Sequence, residues 1–192
     1  MFDLTNGIFH EGYIKLNQVN NEVFDKLRSK RDEIIDRWVG YALSTYPKRA
    51  EHFFSRQKDP FLNPVGNILK NELCEIYNQL LLDKAEDSIR EHVDAIVRVR
   101  AVQDFSPSSA VMIFLGLKDI VKEVLKIEDF DGATWTEVDR FFRRIDQLCL
   151  LAFDVFMSCR EKIWELKTKE VHANIRNILR HYEVNEGKNL NK

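Results

Sequence analysis

Val97-Arg98-Val99-Arg100-Ala101-Val102-Gln103-Asp104-Phe105-Ser106-Pro107-Ser108 carries the end of one helix and the beginning of the next. Upstream, Val93, Ile96, Val97 and Ala101 recur at three- and four-residue steps, the period of an apolar helix face. Ser106 followed by Pro107 is a capping residue ahead of Pro at the first helical position, a helix start. Val111, Phe114, Leu115, Leu117, Ile120, Val121 and Leu125 carry that next helix to about Lys126. No segment alternates with period two for long enough to build a sheet. The fold class expected is all-α.

Toward the N-terminus the same signals repeat. Residues 85–104 read as a helix, preceded by one from Pro64 to about Leu82 with Ile68, Leu69, Leu73, Ile76, Tyr77 and Leu80 on one face. Asn63 is its expected N-cap, with Pro64 at the first helical position. A short helix fits 47–55. Tyr46-Pro47 closes an earlier helix, because the residue before Pro is pushed out of the helical region. That helix begins near Gln18, shows Val19, Val23, Leu27, Ile34, Trp38 and Ala42, and breaks near Lys30. Residues 1–17 read as an irregular leader.

Toward the C-terminus, Asp129 to Gly132 is a turn. Thr134 with Glu137 three residues on reads as a capping box. Val138, Phe141, Ile145, Leu148, Ala152, Val155, Cys159, Ile163 and Leu166 then alternate three and four apart. Val171, Ile175, Ile178 and Tyr182 resume the rhythm after a slip. This suits a core helix whose far end pairs with another helix. About six helices are expected, with a sensor domain over 18–160 and a helical extension and frayed tail over 161–192.

Composition agrees. Apolar residues are 44% of 192, enough for a core, while only 7 Gly and 4 Pro interrupt the chain. Formal net charge is -2, from 29 basic and 31 acidic residues, which gives no electrostatic reason to expect nucleic acid or a membrane surface as partner. Cys74, Cys149 and Cys159 are odd in number and widely spaced, which argues against a disulfide framework. With no signal-peptide pattern at Met1-Phe2-Asp3 and no apolar run long enough to span a bilayer, a cytoplasmic location is expected.

Two stretches carry a family resemblance: Asp59-Pro60-Phe61-Leu62-Asn63-Pro64-Val65-Gly66, and Val97 to Ser108 with its Phe105-Ser106-Pro107. Together with Trp38 and Thr45-Tyr46-Pro47, the chain over about 18–160 resembles the RsbRD N-terminal domain family, the sensory half of RsbT co-antagonist proteins. The resemblance implies a globin-like helical bundle without haem, set ahead of a STAS domain in a stress-signalling assembly. No strand pattern follows residue 183, so a standalone member is expected, its output domain carried by a partner signalling protein.

These residues bear on three functions. The first is a non-catalytic regulatory domain in stress or redox signalling, acting through protein contact. Its expected homodimer or partner helix carries Ile163, Leu166, Val171, Ile175, Ile178 and Tyr182. The second is a sensor for a small apolar or haem-like ligand, with a cavity among Trp38, Val97, Phe114 and Phe153. Arg98, Arg100, Gln103 and Asp104 form the polar cluster, either a ligand pocket or a structural node in which Arg100 pairs with Asp104 and with carbonyls at a helix end. The third, an enzyme, is disfavoured, because the sequence holds no phosphate loop, nucleophile elbow or metal-ligand motif. Ser106, Ser108 and Ser109 are read as helix-start residues. Phe105, Phe114, Phe141, Phe142, Phe153 and Phe156 are read as core. His52 and His92 are the candidates for a haem ligand, yet both fit surface or structural roles. His172 and His181 stand nine apart, too far round a helix for a metal site. No catalytic residue, metal or cofactor is expected.

Overall fold

The computed structural model describes residues 22–57, 59, 61–82, 86–103, 105–127 and 130–189, with backbone alone at 86–87, 133 and 181–189. The leader over 1–17 and the positions of Val19, Pro60 and Asp104 lie outside the described residues. Among those described there are seven helices and no strand: α1 (22–29), α2 (Arg31–Ser44), α3 (Lys48–Arg56), α4 (Pro64–Leu82), α5 (Glu86–Val102), α6 (Pro107–Leu125) and α7 (Gly132–Asn189). The fold is all-α with a long C-terminal helix. The break at Lys30 separates α1 from α2, so the helix expected to begin near Gln18 is two helices.

The chain divides into two compact units, Met1–Phe156 and Met157–Lys192. The core of the first is apolar side chains at helical spacing. α2 buries Ile34, Ile35, Trp38, Ala42 and Leu43. Trp38 is fully buried, and its indole N–H donates to the Ile113 carbonyl of α6 at 2.7 Å, so the ring brings its polar handle inside with a partner. The approach of α2 to α6 is close at Gly116, where a Cβ would stand 2.2 Å from the Tyr41 ring. Tyr77 of α4 donates to Leu27 O of α1 at 3.0 Å, and Phe141 of α7 meets the edges of Phe24 and Tyr77. Arg144 of α7 donates to Leu80 O at 2.6 Å.

Local chemistry sets the helix starts. Ser106 accepts from Ser109 N with Pro107 inside the first turn of α6. Asn63 Oδ1 accepts from Gly66 N at 2.9 Å, capping α4. At α7 the cap differs from the expected box. Asp131, not Thr134, is the capping residue, its carboxylate accepting from Thr134 N at 2.8 Å. The helix therefore starts two residues earlier than Thr134, which is buried within its first turn.

Candidate functional site

The joint between α2, α5 and α6 is built around Arg100. Its neighbours along α5, Val93, Ile96, Val97 and Ala101, are all buried, so the helix phase carries Arg100 inward to 0% exposure. Arg100 Nη2 donates to Thr45 Oγ1 at 3.1 Å and to Ser109 O at 3.0 Å. The guanidinium carbon lies 3.9 Å from the Phe105 ring centroid and 5.3 Å from that of Tyr46. Aromatic faces attract a cation by their quadrupole, most strongly where water is excluded. Burial lowers the Arg100 pKa below its ordinary value, and burial raises that of Tyr46 against the pull of the neighbouring guanidinium. Among the described residues, Arg100 Nε and Nη1 and the Tyr46 hydroxyl have no hydrogen-bond partner.

The cluster read from sequence is only partly assembled. Arg98 is exposed and pairs with Asp94 on its own helix, and Gln103 is exposed beyond the end of α5. The expected Arg100–Asp104 pair lies outside the described residues. Thr45, Tyr46 and Ser109 are the partners that sequence periodicity missed. Thr45 and Tyr46 stand just past the end of α2; Tyr46 continues the four-residue step of Ile34, Trp38 and Ala42, whereas Thr45 lies off it.

Several expected core residues lie elsewhere. Phe153 is 45% exposed and Leu115 is 47% exposed, whereas Trp38, Val97 and Phe114 are buried. A cavity lined by Phe153 together with those three is therefore not supported: α7 turns Phe153 away from the Leu148, Ala152 and Val155 face. His92 Nδ1 sits 2.7 Å from Glu72 Oε2, in a half-buried pairing of α5 with α4. His52 is exposed on α3.

The motif around Asn63 is a clasp. Asn63 is 4% exposed; its Nδ2 donates to Phe54 O at 2.7 Å and Gln57 O at 2.8 Å while Oδ1 caps α4. Asp59 Oδ1 accepts from Phe61 N, and Asp59 O accepts from Asn63 N, both at 2.9 Å. Asp59, Asn63 and Pro64 thus hold the α3–α4 corner, while Phe61 is 96% exposed.

In the second unit most of the large apolar residues are uncovered. Met157, Trp164, Val171 and Ile178 recur every seventh residue, with exposures of 38, 63, 54 and 55%; Ile175, four after Val171, is 48% exposed. Tyr182 follows Ile175 by seven, and its side chain lies outside the described residues. Ile163 is half-buried and Leu166 exposed, but both belong to a different phase. Extending the core positions 138, 141, 145, 148, 152, 155 and 159 gives Lys162, Leu166, Lys169, Ala173 and Arg176, mostly charged. The uncovered stripe runs through Trp164, which the three-and-four count passed over.

No described helix is long and apolar enough to cross a membrane. No solved structure matches the chain. An uncharacterized protein of Archaeoglobus fulgidus is 26% identical over 146 residues, covering 76% of this chain and 87% of its own. The family model for the RsbT co-antagonist protein rsbRD N-terminal domain matches residues 32–171, which takes in α2 to α6, the Arg100 joint, the Asn63 clasp and much of α7. The chain belongs to the RsbRD N-terminal domain family.

Proposed function

We propose that this chain is a non-catalytic regulatory module that works by pairing α7 with α7 of a second copy. Its family is a regulatory, sensor-type one in stress signalling. The observation that carries the reading is the seven-residue stripe of Met157, Trp164, Val171 and Ile178, uncovered in the single chain. A seven-residue apolar repeat keeps one seam facing a partner helix over several turns, which a 3.6-residue pattern does not. Ile175 and Tyr182 supply the last two alternate positions of the seam, and Glu161 and Thr168 are the polar ones before them. Large contiguous apolar surface on a soluble helix marks association. The Arg100 joint serves this module by fixing how α2, α5 and α6 meet, and a signalling partner reads the paired helices.

Light scattering on the full chain over a range of concentrations tests the pairing. The expected mass is twice 22.7 kDa, falling to one chain in the Val171→Asp/Ile178→Asp variant. A wild-type mass of one chain throughout, or a double variant that still pairs, rejects the reading.

A further inference from the structure

α3 is the only described helix of the first unit, α1 to α6, that buries none of its own side chains. Arg49, His52, Phe53 and Arg56 fall at i, i+3, i+4 and i+7, one face of that helix, and with Gln57 they line a shallow cleft of about 310 Å³. Phe53 is 47% exposed in it. The helix holds three cations, Lys48, Arg49 and Arg56, against one acid, Glu51, in a chain whose formal net charge is -2. Elsewhere Arg28, Arg37, Arg98 and Arg143 each have a carboxylate three or four residues away on their own helix. Arg49 and Arg56 have no ion pair among the described residues.

The adjoining corner adds apolar surface that no packing explains. Phe61 and Leu62 are 96% and 58% exposed, and the Asp59 turn and Asn63 clasp hold that corner against the end of α3. Asp59, Asn63 and Gly66 each have a structural task, the last because a Cβ there would stand 2.4 Å from the Asn63 side chain. Phe61 has none inside the fold. Leaving such a side chain in water forgoes the stabilisation that burying it would bring.

We propose that α3 and the Phe61–Leu62 corner form a docking surface for an acidic amphipathic segment of another protein, its carboxylates taken by Arg49 and Arg56 and its apolar residues by Phe53 and Phe61. Charge complementarity selects the occupant: a cationic face with no ion pair for Arg49 or Arg56 among the described residues, flanked by aromatic anchors, fits a helix with an acidic and an apolar side. The surface shares no residue with the α7 seam, so its test does not depend on whether the chain dimerises.

Fluorescence anisotropy on the full chain tests this, with a synthetic peptide of Glu and Leu patterned as an amphipathic helix as probe. A companion peptide carries Gln in place of each Leu. The Glu–Leu peptide binds, and the Gln companion binds about tenfold more weakly. Arg49→Glu/Arg56→Glu and Phe61→Ser each weaken the Glu–Leu peptide about tenfold or more, while Arg140→Glu, on exposed α7 surface, leaves it unchanged. All these positions are exposed, and thermal melts matching the parent establish that the variants fold. Three outcomes overturn the proposal: an α3 charge reversal or Phe61→Ser that leaves affinity intact, an equal loss from Arg140→Glu, or binding to phosphatidylglycerol vesicles with none to the peptide.

Discussion

Replacing Arg100 separates the volume of its side chain from its charge. The guanidinium is fully buried against Phe105 and Tyr46, and two of its nitrogens have no partner among the described residues. Buried charge carries a desolvation cost that aromatic faces and two hydrogen bonds offset only in part. Arg100→Ala opens a cavity at the joint and is expected to lose about 2–4 kcal/mol in urea denaturation. Arg100→Met keeps most of the volume and is expected to lose less than about 1.5 kcal/mol. Equal losses from the two would show that the charge, not the volume, holds the joint. Cys149 gives a second measurement. Burial, then Asp146, pushes its thiol up to about 11. At pH 8 about a thousandth of it is thiolate, so iodoacetamide should modify it far more slowly than free cysteine, with the rate still rising above pH 9. That Arg100 faces inward was legible from its place on the Val93–Ala101 stripe. A carbonyl at a helix end was expected among its partners, but not which one, because Ser109 accepts through a backbone carbonyl that carries no side-chain signature and Thr45 is 55 residues away.

Helix ends in this chain are decided by single side chains. Asn63 satisfies one backbone donor of α4 and two backbone carbonyls at the end of α3, and Gly66 leaves it the room. Gly66→Ala drives a Cβ into that amide, and about 1–3 kcal/mol should be lost as cap and clasp part, measured by chemical denaturation. A loss within error would mean that the Asn63 side chain shifts freely. At the start of α7, Asp131→Ala should remove about 1 kcal/mol and Asp131→Asn much less, because either side-chain oxygen can accept from Thr134 N. The starts of α4 and α6 could be read ahead of the structure, since Asn63-Pro64 and Ser106-Pro107 combine a cap with a Pro in adjacent residues. The start of α7 could not. Asp131 and Thr134 are both competent caps in one short stretch, and only the backbone path chooses between them.

The two units use the same long helix differently. In the first, α7 contributes Val138, Phe141, Ile145, Leu148, Ala152 and Val155 to a buried core; in the second, its large apolar residues are uncovered. If a second copy covers them, Trp164 leaves water. Its emission should move to the blue as concentration rises, and the move should vanish in Trp164→Phe, whereas buried Trp38 contributes a constant background. A spectrum independent of concentration, with the mass of a dimer, would place the contact elsewhere. The existence of an exposed stripe was readable from Val171, Ile175 and Ile178. Its phase was obscured because Ile163 and Leu166 are apolar neighbours of Trp164 and extend the core count by accident of composition. α3 has one more consequence. A helix with no fully buried side chain is held by the hydrogen bonds at its edge and the Phe54 contact with Tyr46, so its backbone amides should trade deuterium with solvent through local opening, well ahead of those in α2 and α6. Of these three helices, the one that exchanges first would then be the one with most to gain in order from an occupant.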